Sequence, residues 1–208
     1  LLFRSFDDYK LPGMVYASIP SIAVFGLNEI GVRFPSAFLG TLTVLVFYFL
    51  AKELIKDKSK SLVITFFFAI SIWHINFSRQ AFESNGALFF LVLGTYFLIA
   101  SSKKTIYLLF AAVIYAISFY FYYSVRLIIP LILLAFAMLM FKQLLKHKKI
   151  VFFYLIIGIV MLLPIVFLMF SKGGMLRMGI VSVVNDENYF RRQVRFAQKI
   201  DKNKSVFT

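Results

Sequence analysis

The stretch SIWHINFSRQAFESNGALFF, residues 71–90, interrupts a hydrophobic run with a short group of polar residues and then becomes hydrophobic again. The run before the interruption is LVITFFFAISIWHINF at 62–77, and the run after it covers 86–100. Charged side chains are costly in the hydrocarbon core of a membrane, so they collect where a chain leaves it. We therefore predict that residues 71–85 form a turn between two membrane-spanning helices, with Trp73 as an anchor at the interface.

The composition of the whole chain is that of a membrane protein. Of its 208 residues, 61% are hydrophobic and only 15% are charged, whereas about a quarter of the residues in soluble domains are charged. There are 23 Lys and Arg against 9 Asp and Glu, a net charge of +14. Because the lysines flank apolar segments, this excess indicates a lipid bilayer as partner and no nucleic acid. With no cysteine in the chain, disulfides, thiolate metal sites and a cysteine nucleophile within it are excluded.

Six apolar runs predict an all-α membrane protein, a polytopic bundle of about six transmembrane helices. The runs cover residues 35–51, 62–77, 86–100, 105–123, 127–141 and 150–170. A shorter apolar piece precedes them and is interrupted by Pro20 and Gly26, so it predicts a helix lying in the outer interface, with Asn28 and Glu29 at its end. The expected parts are an outer loop with the interfacial helix at 1–34, a transmembrane bundle at 35–171, and an outer-face segment at 172–208 that begins a larger outer loop.

The connections between the runs alternate in character. Lysines dominate one set, at 52–60, 103–104 and 142–149, whereas the other set carries Arg79 and Arg126. Lysine-rich short loops mark the cytoplasmic side of a membrane protein. We therefore expect a multi-pass protein of the plasma (inner) membrane in which the first thirty residues and the connections at 71–85 and 123–127 face outward.

These outward connections hold the residues that are suited to chemistry. Arg79 and Glu83 are four residues apart, so on one continuous helix they would share a face and could pair; the alternative is that they cap a tight turn. Arg126 follows a tyrosine-rich segment and suits a phosphate at the level of the lipid headgroups, because a guanidinium binds phosphate through two hydrogen bonds. An aromatic belt with an arginine anchor is the alternative for Arg126.

A second outer cluster consists of Asp7 and Asp8 beside Lys10. Adjacent carboxylates can bind a metal ion or act as a base, but DDYK is also ordinary loop composition. His74 has no second histidine on the same face, so its spacing predicts no metal site. A divalent cation stays an open option, and no other cofactor is expected.

Polar groups gathered near one membrane face fit an enzyme that acts on a lipid-linked substrate. A transporter, such as a flippase for lipid-linked sugars, is the alternative. Transporters tend to place ionisable groups near the midplane of the membrane, and the centres of these runs carry almost none. A purely structural membrane subunit is the third hypothesis, in which the outer polar residues would tolerate substitution.

Three segments carry a resemblance to a known family. They are FGLNEIGVRFPSAFLGTLTVLVFYFLAKEL at 25–54, ISIWHINFSRQAFESN at 70–85 and FYFYYSVRLIIP at 119–130. They resemble the membrane glycosyltransferases related to protein O-mannosyltransferases and to the aminoarabinose transferase of lipid A, in the GT-C superfamily. The resemblance covers most of residues 1–170, and the ordered set of motifs is more specific than any one of them.

The resemblance implies a polyprenyl-phosphate sugar as donor, an outward-facing site, and inverting transfer to a hydroxyl of a lipid, glycan or protein acceptor. Lys10 matches a phosphate-contacting lysine, although Leu11 and Gly13 depart from the usual K-P-P-L. Glu83 matches the second acidic position of the family and is expected to act in catalysis by orienting the acceptor, Arg79 or a bound cation. The expected substrate-binding residues are Lys10, Arg79, Arg126 and His74.

The resemblance also implies that the catalytic base is an acidic residue of the first outer loop, usually well upstream of the piece around Lys10. We therefore expect the given chain to be a fragment without its catalytic Asp and inactive alone. Within the chain, Asp8 is the alternative catalytic base.

Overall fold

The computed structural model describes residues 3–5, 8–140, 152 and 156 of the chain. Within these residues two short strands are followed by seven helices: β1 (Phe3–Ser5), β2 (Asp8–Lys10), α1 (Pro12–Phe25), α2 (Glu29–Ile55), α3 (Lys58–Ala69), α4 (Ile72–Arg79), α5 (Glu83–Ala100), α6 (Tyr107–Ser118) and α7 (Val125–Leu139). The predicted lysine-rich connection at 142–149 and the segment at 172–208 lie outside the described residues. Of the predicted run at 150–170, only Phe152 and Ile156 are described, and both are helical.

The strands β1 and β2 form an antiparallel pair in which Phe3 lies opposite Lys10 and Ser5 lies opposite Asp8. The loop-like composition of DDYK did not predict this pair. The chain divides into two compact units, of which one contains β1 and β2 and the other contains α1–α7. The prediction of a helical fold is confirmed for the second unit.

The first long helix begins earlier than its apolar run predicts. The run starts at 35, but α2 starts at Glu29 because the side chain of Asn28 accepts a hydrogen bond from the backbone N–H of Gly31 (2.9 Å). Asparagine is among the preferred residues at this capping position, since it satisfies a backbone N–H that has no partner within the helix. The prediction that Asn28 and Glu29 end the preceding helix is therefore wrong: they begin α2.

The second apolar run, predicted as one span, is divided into α3 and α4. The two helices are bent by 57° at Ile70 and Ser71. As a result most of the predicted turn at 71–85 is helical, and only residues 80–82 connect α4 to α5. The prediction of one extended turn is corrected accordingly.

Two helices are long and apolar enough to cross a membrane, α2 with 27 residues and α5 with 18. The bent pair of α3 and α4 is a third candidate if it forms one broken span. The other helices of the described part, α1, α6 and α7, are apolar but shorter. The structure thus supports a membrane protein with two or three candidate spans, and the count of about six stays a prediction.

Hydrogen bonds show the relative directions of three helices of the second unit. α2 and α5 run parallel, because Asn85 bonds Ser36 near their first residues and Lys103 bonds Glu53 near their last ones. α6 runs antiparallel to α5, since the hydroxyl of Ser118 donates to the carbonyl of Ala87 (3.0 Å). The lysine end is defined here as the connections at 56–57 and 101–106 with the last turn of α2. The arginine end consists of the connections at 80–82 and 119–124 with the adjoining Arg79 and Arg126.

The helix α1 lies across the arginine end. At its start, the backbone N–H of Gly13 donates to the carbonyl of Tyr120 (2.9 Å) in the connection between α6 and α7. Near its end, the hydroxyl of Ser21 donates to the carbonyl of Gly31 in the first turn of α2. The predicted helix before the bundle is therefore present, and its location in the membrane interface stays a prediction.

Candidate active site

The short helix α4 has two different faces at the arginine end. Trp73 is 74% exposed and its ring stacks on Phe77 at 5.9 Å between centroids. His74 and Ser78 are on the other face, with His74 buried and the hydroxyl of Ser78 donating to the carbonyl of His74 (2.7 Å). The exposure of Trp73 suits the anchoring role expected from the sequence.

Ser36 joins three helices at this end. It is fully buried in α2, and its hydroxyl donates to the carbonyl of Phe77 in the last turn of α4 (3.1 Å). The side-chain amide of Asn85, in the first turn of α5, donates to the Ser36 carbonyl (2.6 Å) and to the Ser36 hydroxyl (3.1 Å). Since Nδ2 has two N–H donors and both are directed at Ser36, the amide orientation follows from the network.

His74 is also held against α2. Its Nε2 donates to the carbonyl of Gly40 (3.1 Å), and its ring lies 4.5 Å from that of Phe68 between centroids. The carbonyl can only accept, so Nε2 carries a proton. This placement favours a role in packing α4 on α2, and a contact between His74 and substrate stays a prediction.

The close approach of α2 and α4 depends on Gly40. A Cβ atom at this position would overlap the hydroxyl of Ser78 and lie 3.4 Å from Nδ2 of Asn85. Small residues let helix backbones approach closely in membrane bundles. Gly40 is therefore the point around which Ser78, His74 and Asn85 gather.

Arg79 and Glu83 stand on either side of a break between helices. Arg79 is exposed as the last residue of α4, and Glu83 is half-buried as the first residue of α5. Between them, Gln80 and Phe82 are extended, so the expectation that the two charges share one helix face is wrong. A carboxylate in the first turn of a helix is favoured by the partial positive charge there, which suits Glu83.

Arg126 lies in the first turn of α7 at the same end of the bundle. Its guanidinium carbon is 4.4 Å from the ring centroid of Tyr123, a cation–π contact. The preceding connection is fixed to α5, because the ring of Phe121 packs against Gly86 and lies 5.0 Å from that of Phe90. The structure thus brings Arg79, Glu83 and Arg126 to one end of the helices, as the alternating connections predicted.

Asp8 and Lys10 are on β2, in the other compact unit, and Lys10 is exposed. Their expected roles as base and phosphate contact stay predictions. Within the described residues, no three His, Cys, Asp or Glu side chains are grouped as metal ligands. A divalent cation stays an open option, and Asp7, one of the two adjacent carboxylates considered for it, lies outside the described residues.

Sequence reasoning missed Ser36 and the partner that it has in Asn85. Both are small polar residues at the edge of apolar runs, and each lies inside a motif that carries the resemblance, PSA and ESN. Because they are 49 residues apart, no local pattern pairs them. The signal was present as two unexplained polar residues at the start of apolar helices.

One of three comparisons with known proteins identifies a family. A protein-family model described as dolichyl-phosphate-mannose-protein mannosyltransferase matches residues 12–169. The matched range includes α1–α7 and the whole arginine end, and it leaves Asp8 and Lys10 outside. No curated protein and no solved structure matches the chain.

Proposed function

This chain belongs to the dolichyl-phosphate-mannose-protein mannosyltransferase family. On that premise we propose that it functions in a membrane enzyme that transfers a sugar from a polyprenyl-phosphate donor to an acceptor hydroxyl. The observation that carries the proposal is the gathering of Arg79, Glu83 and Arg126 at one end of apolar helices. A lipid-linked phosphate presents its charge where its lipid tail meets the headgroup region of the membrane, which is also where apolar helices end. Guanidinium groups suit this charge because they bind phosphate bidentately.

The proposed reaction inverts the anomeric centre. The acceptor oxygen attacks the anomeric carbon from the side opposite the phosphate, the bond from that carbon to the phosphate oxygen breaks, and polyprenyl phosphate leaves with the bonding electrons. The hydroxyl proton passes to a carboxylate base, for which Asp8 is the candidate within this chain. The resemblance of the sequence favours an acidic residue of the first outer loop for that step.

Arg79 and Arg126 would stabilise the phosphate as it takes up negative charge, and Lys10 is proposed for a phosphate contact on the resemblance of the sequence alone. Removing one preorganised donor of this kind lowers kcat by roughly 10²–10³ in enzymes studied by mutagenesis. Glu83, half-buried at the start of α5, would orient the acceptor or Arg79. The proposal requires that the arginine end faces outward in a bundle of about six spans. The lysine-rich connections at the opposite end support this orientation.

The experiment uses membranes that contain the complete protein and a radiolabelled polyprenyl-phosphate sugar. Acceptor-dependent release of polyprenyl phosphate, with the sugar recovered in inverted configuration on the acceptor, is the expected result. Glu83→Ala should abolish release while the protein still inserts. Glu53→Ala is the matched control, because it removes a helix-terminal glutamate at the lysine end.

Two results would contradict the proposal. One is a donor that crosses the membrane intact with no release of polyprenyl phosphate, which would favour a transporter. The other is full turnover in Glu83→Ala, which would favour a structural role for the arginine end.

A further inference from the structure

We infer that Ser36 is a positioning residue that sets the distance between Arg79 and Glu83, with Asn85 holding Ser36 in place. The inference rests on the proposed function, since it concerns the same two charged residues. It starts from the hydrogen bonds that Ser36 makes on both sides of the connection at 80–82. Ser36 and Asn85 are uncharged, and we expect neither side chain to contact substrate.

The hydrogen bonds of Ser36 bracket the break between α4 and α5. Phe77, whose carbonyl accepts from the Ser36 hydroxyl, is two residues before Arg79. Asn85, whose amide donates to Ser36, is two residues after Glu83. A single residue of α2 is therefore bonded to the backbone two residues before Arg79 and to a side chain two residues after Glu83.

The two side chains that form the bracket are buried, whereas the connection that it spans is exposed. Ser36 is fully buried and Asn85 is 1% exposed, so water does not compete for the hydrogen bonds between them. Residues 80–82 are all exposed, and the local contacts across the break are the ring contact of Phe82 with Phe77 (5.1 Å) and the hydrogen bond from the Phe82 N–H to the Gln80 carbonyl (2.8 Å). In our proposal, the hydrogen bonds to Ser36 of α2 set the separation of Arg79 and Glu83.

The consequence for the reaction follows from the proposed roles. Arg79 acts on the donor phosphate and Glu83 on the acceptor, so the distance between them sets how the two substrates meet. A misplacement of about 1 Å can cost about 10²-fold in rate, because the reacting atoms must be aligned at close range. Loss of the bracket should therefore lower kcat more than it raises KM for the donor.

The main variant is Ser36→Ala in the complete protein, which removes the hydroxyl and leaves the carbonyl. We expect kcat to fall by about ten- to a hundredfold, with the donor KM within about threefold of wild type. Ser36→Thr, which keeps a hydroxyl, should recover part of the loss. Asn85→Asp, which keeps the shape but replaces the donating amide, is the second variant and should reproduce the fall in kcat.

Ser118→Ala is the matched control. Ser118 is also fully buried, and its hydroxyl also donates to a carbonyl of another helix, that of Ala87 at 3.0 Å. It lies outside the bracket, so its loss should affect folding as much as Ser36→Ala does but leave kcat within about threefold of wild type. Equal kcat in Ser36→Ala and Ser118→Ala would overturn the inference.

A readout that needs no activity separates this inference from the proposed function. Amide hydrogen exchange over residues 80–85 should be faster in Ser36→Ala than in wild type and unchanged in Ser118→Ala. Unchanged exchange in both variants would overturn the positioning role. A wild-type protein that transfers no sugar but shows the expected exchange pattern would sink the proposed function alone and leave the bracket of Ser36 standing.

Discussion

The two ends of the helix bundle are held together by different chemistry. At the lysine end, Lys103 pairs with Glu53 at 2.6 Å and Lys60 lies 3.8 Å from Asp57, with both lysines mostly exposed. At the arginine end, the bonds that join the helices are uncharged, and they include those from the buried side chains of Ser36 to Phe77 and of Asn85 to Ser36. Arg79 and Glu83 lie at the ends of the two helices that this network joins to α2.

From this difference we assign orientation in the membrane to the lysine end and the chemistry to the arginine end. Exposed ion pairs contribute little to stability because water and salt screen them. The role that we assign to the lysine end therefore depends on its positive charge, which marks the cytoplasmic side of the membrane. A buried hydrogen bond that loses one partner leaves an unsatisfied group, at a cost of about 1–3 kcal/mol. Small substitutions in the network of Ser36 and Asn85 should therefore change both folding and function.

The largest expected effect is on Gly40. Gly40→Val would place side-chain atoms on the hydroxyl of Ser78, and overpacking of a tight core typically costs about 1–3 kcal/mol. The protein should lose thermal stability in detergent together with its transferase activity. Ala37→Val, at an exposed position of the same helix, should leave both unchanged, and equal losses in the two variants would show that the contact of α2 with α4 is not special.

The next effect is on Arg126. Arg126→Lys keeps the charge but loses the planar group that stacks on Tyr123. A cation–π contact in a partly desolvated site contributes about 1–2 kcal/mol, so activity should fall about tenfold while insertion is normal. Lys103→Arg makes the reverse exchange at the lysine end and should have no effect on transfer. Undiminished activity in Arg126→Lys would mean that only the charge of this residue matters.

A smaller effect is expected at the two helix caps, one at each end. Asn28 accepts from the N–H of Gly31, and Asp57 accepts from the N–H of Lys60 (3.1 Å). Replacement of either by Ala should lower stability by about 1 kcal/mol. Only Asn28→Ala should also reduce activity, because α2 carries Ser36 near the same end; a similar loss of activity in Asp57→Ala would contradict that assignment.

The smallest effect is a pH dependence at the lysine end. The hydrogen bond with Glu53 raises the pKa of Lys103 above its usual range. A raised pKa in the folded protein stabilises it at all pH values below the ordinary lysine pKa, and this contribution is lost as the pH rises through the raised pKa. Thermal melts of wild type and Lys103→Met should differ slightly at neutral pH and converge in strong alkali. A difference that persists there would mean that the ion pair is not its source.

The helices themselves could largely be predicted from the sequence, because the apolar runs are long. The start of α2 was misplaced by the apolar run although Asn28 is a recognisable cap. The bend at Ile70 and Ser71 could not be predicted, since both residues are compatible with a continuous helix. Such breaks depend on neighbouring helices, which supply partners for the freed backbone groups.

The candidate site was predictable in its charged residues and not in its support. Arg79, Glu83 and Arg126 stand out because charge is rare in this chain, and the alternation of connections places them at one end. The predicted geometry of Arg79 and Glu83 was wrong, because a separation of four residues implies a shared face only if the helix continues between them. The network of Ser36 and Asn85 is non-local, and two uncharged polar residues carry no sign of which partner they will meet.

The most direct test of the central claim compares one positive charge at each end of the bundle. Membranes with the complete protein are assayed for release of polyprenyl phosphate from a radiolabelled donor, for wild type, Arg126→Ala and Lys103→Ala at matched amounts of inserted protein. The expected result is loss of release by roughly 10²-fold or more in Arg126→Ala and wild-type release in Lys103→Ala. Equal release by all three proteins, or a greater loss in Lys103→Ala, would contradict the assignment of the chemistry to the arginine end.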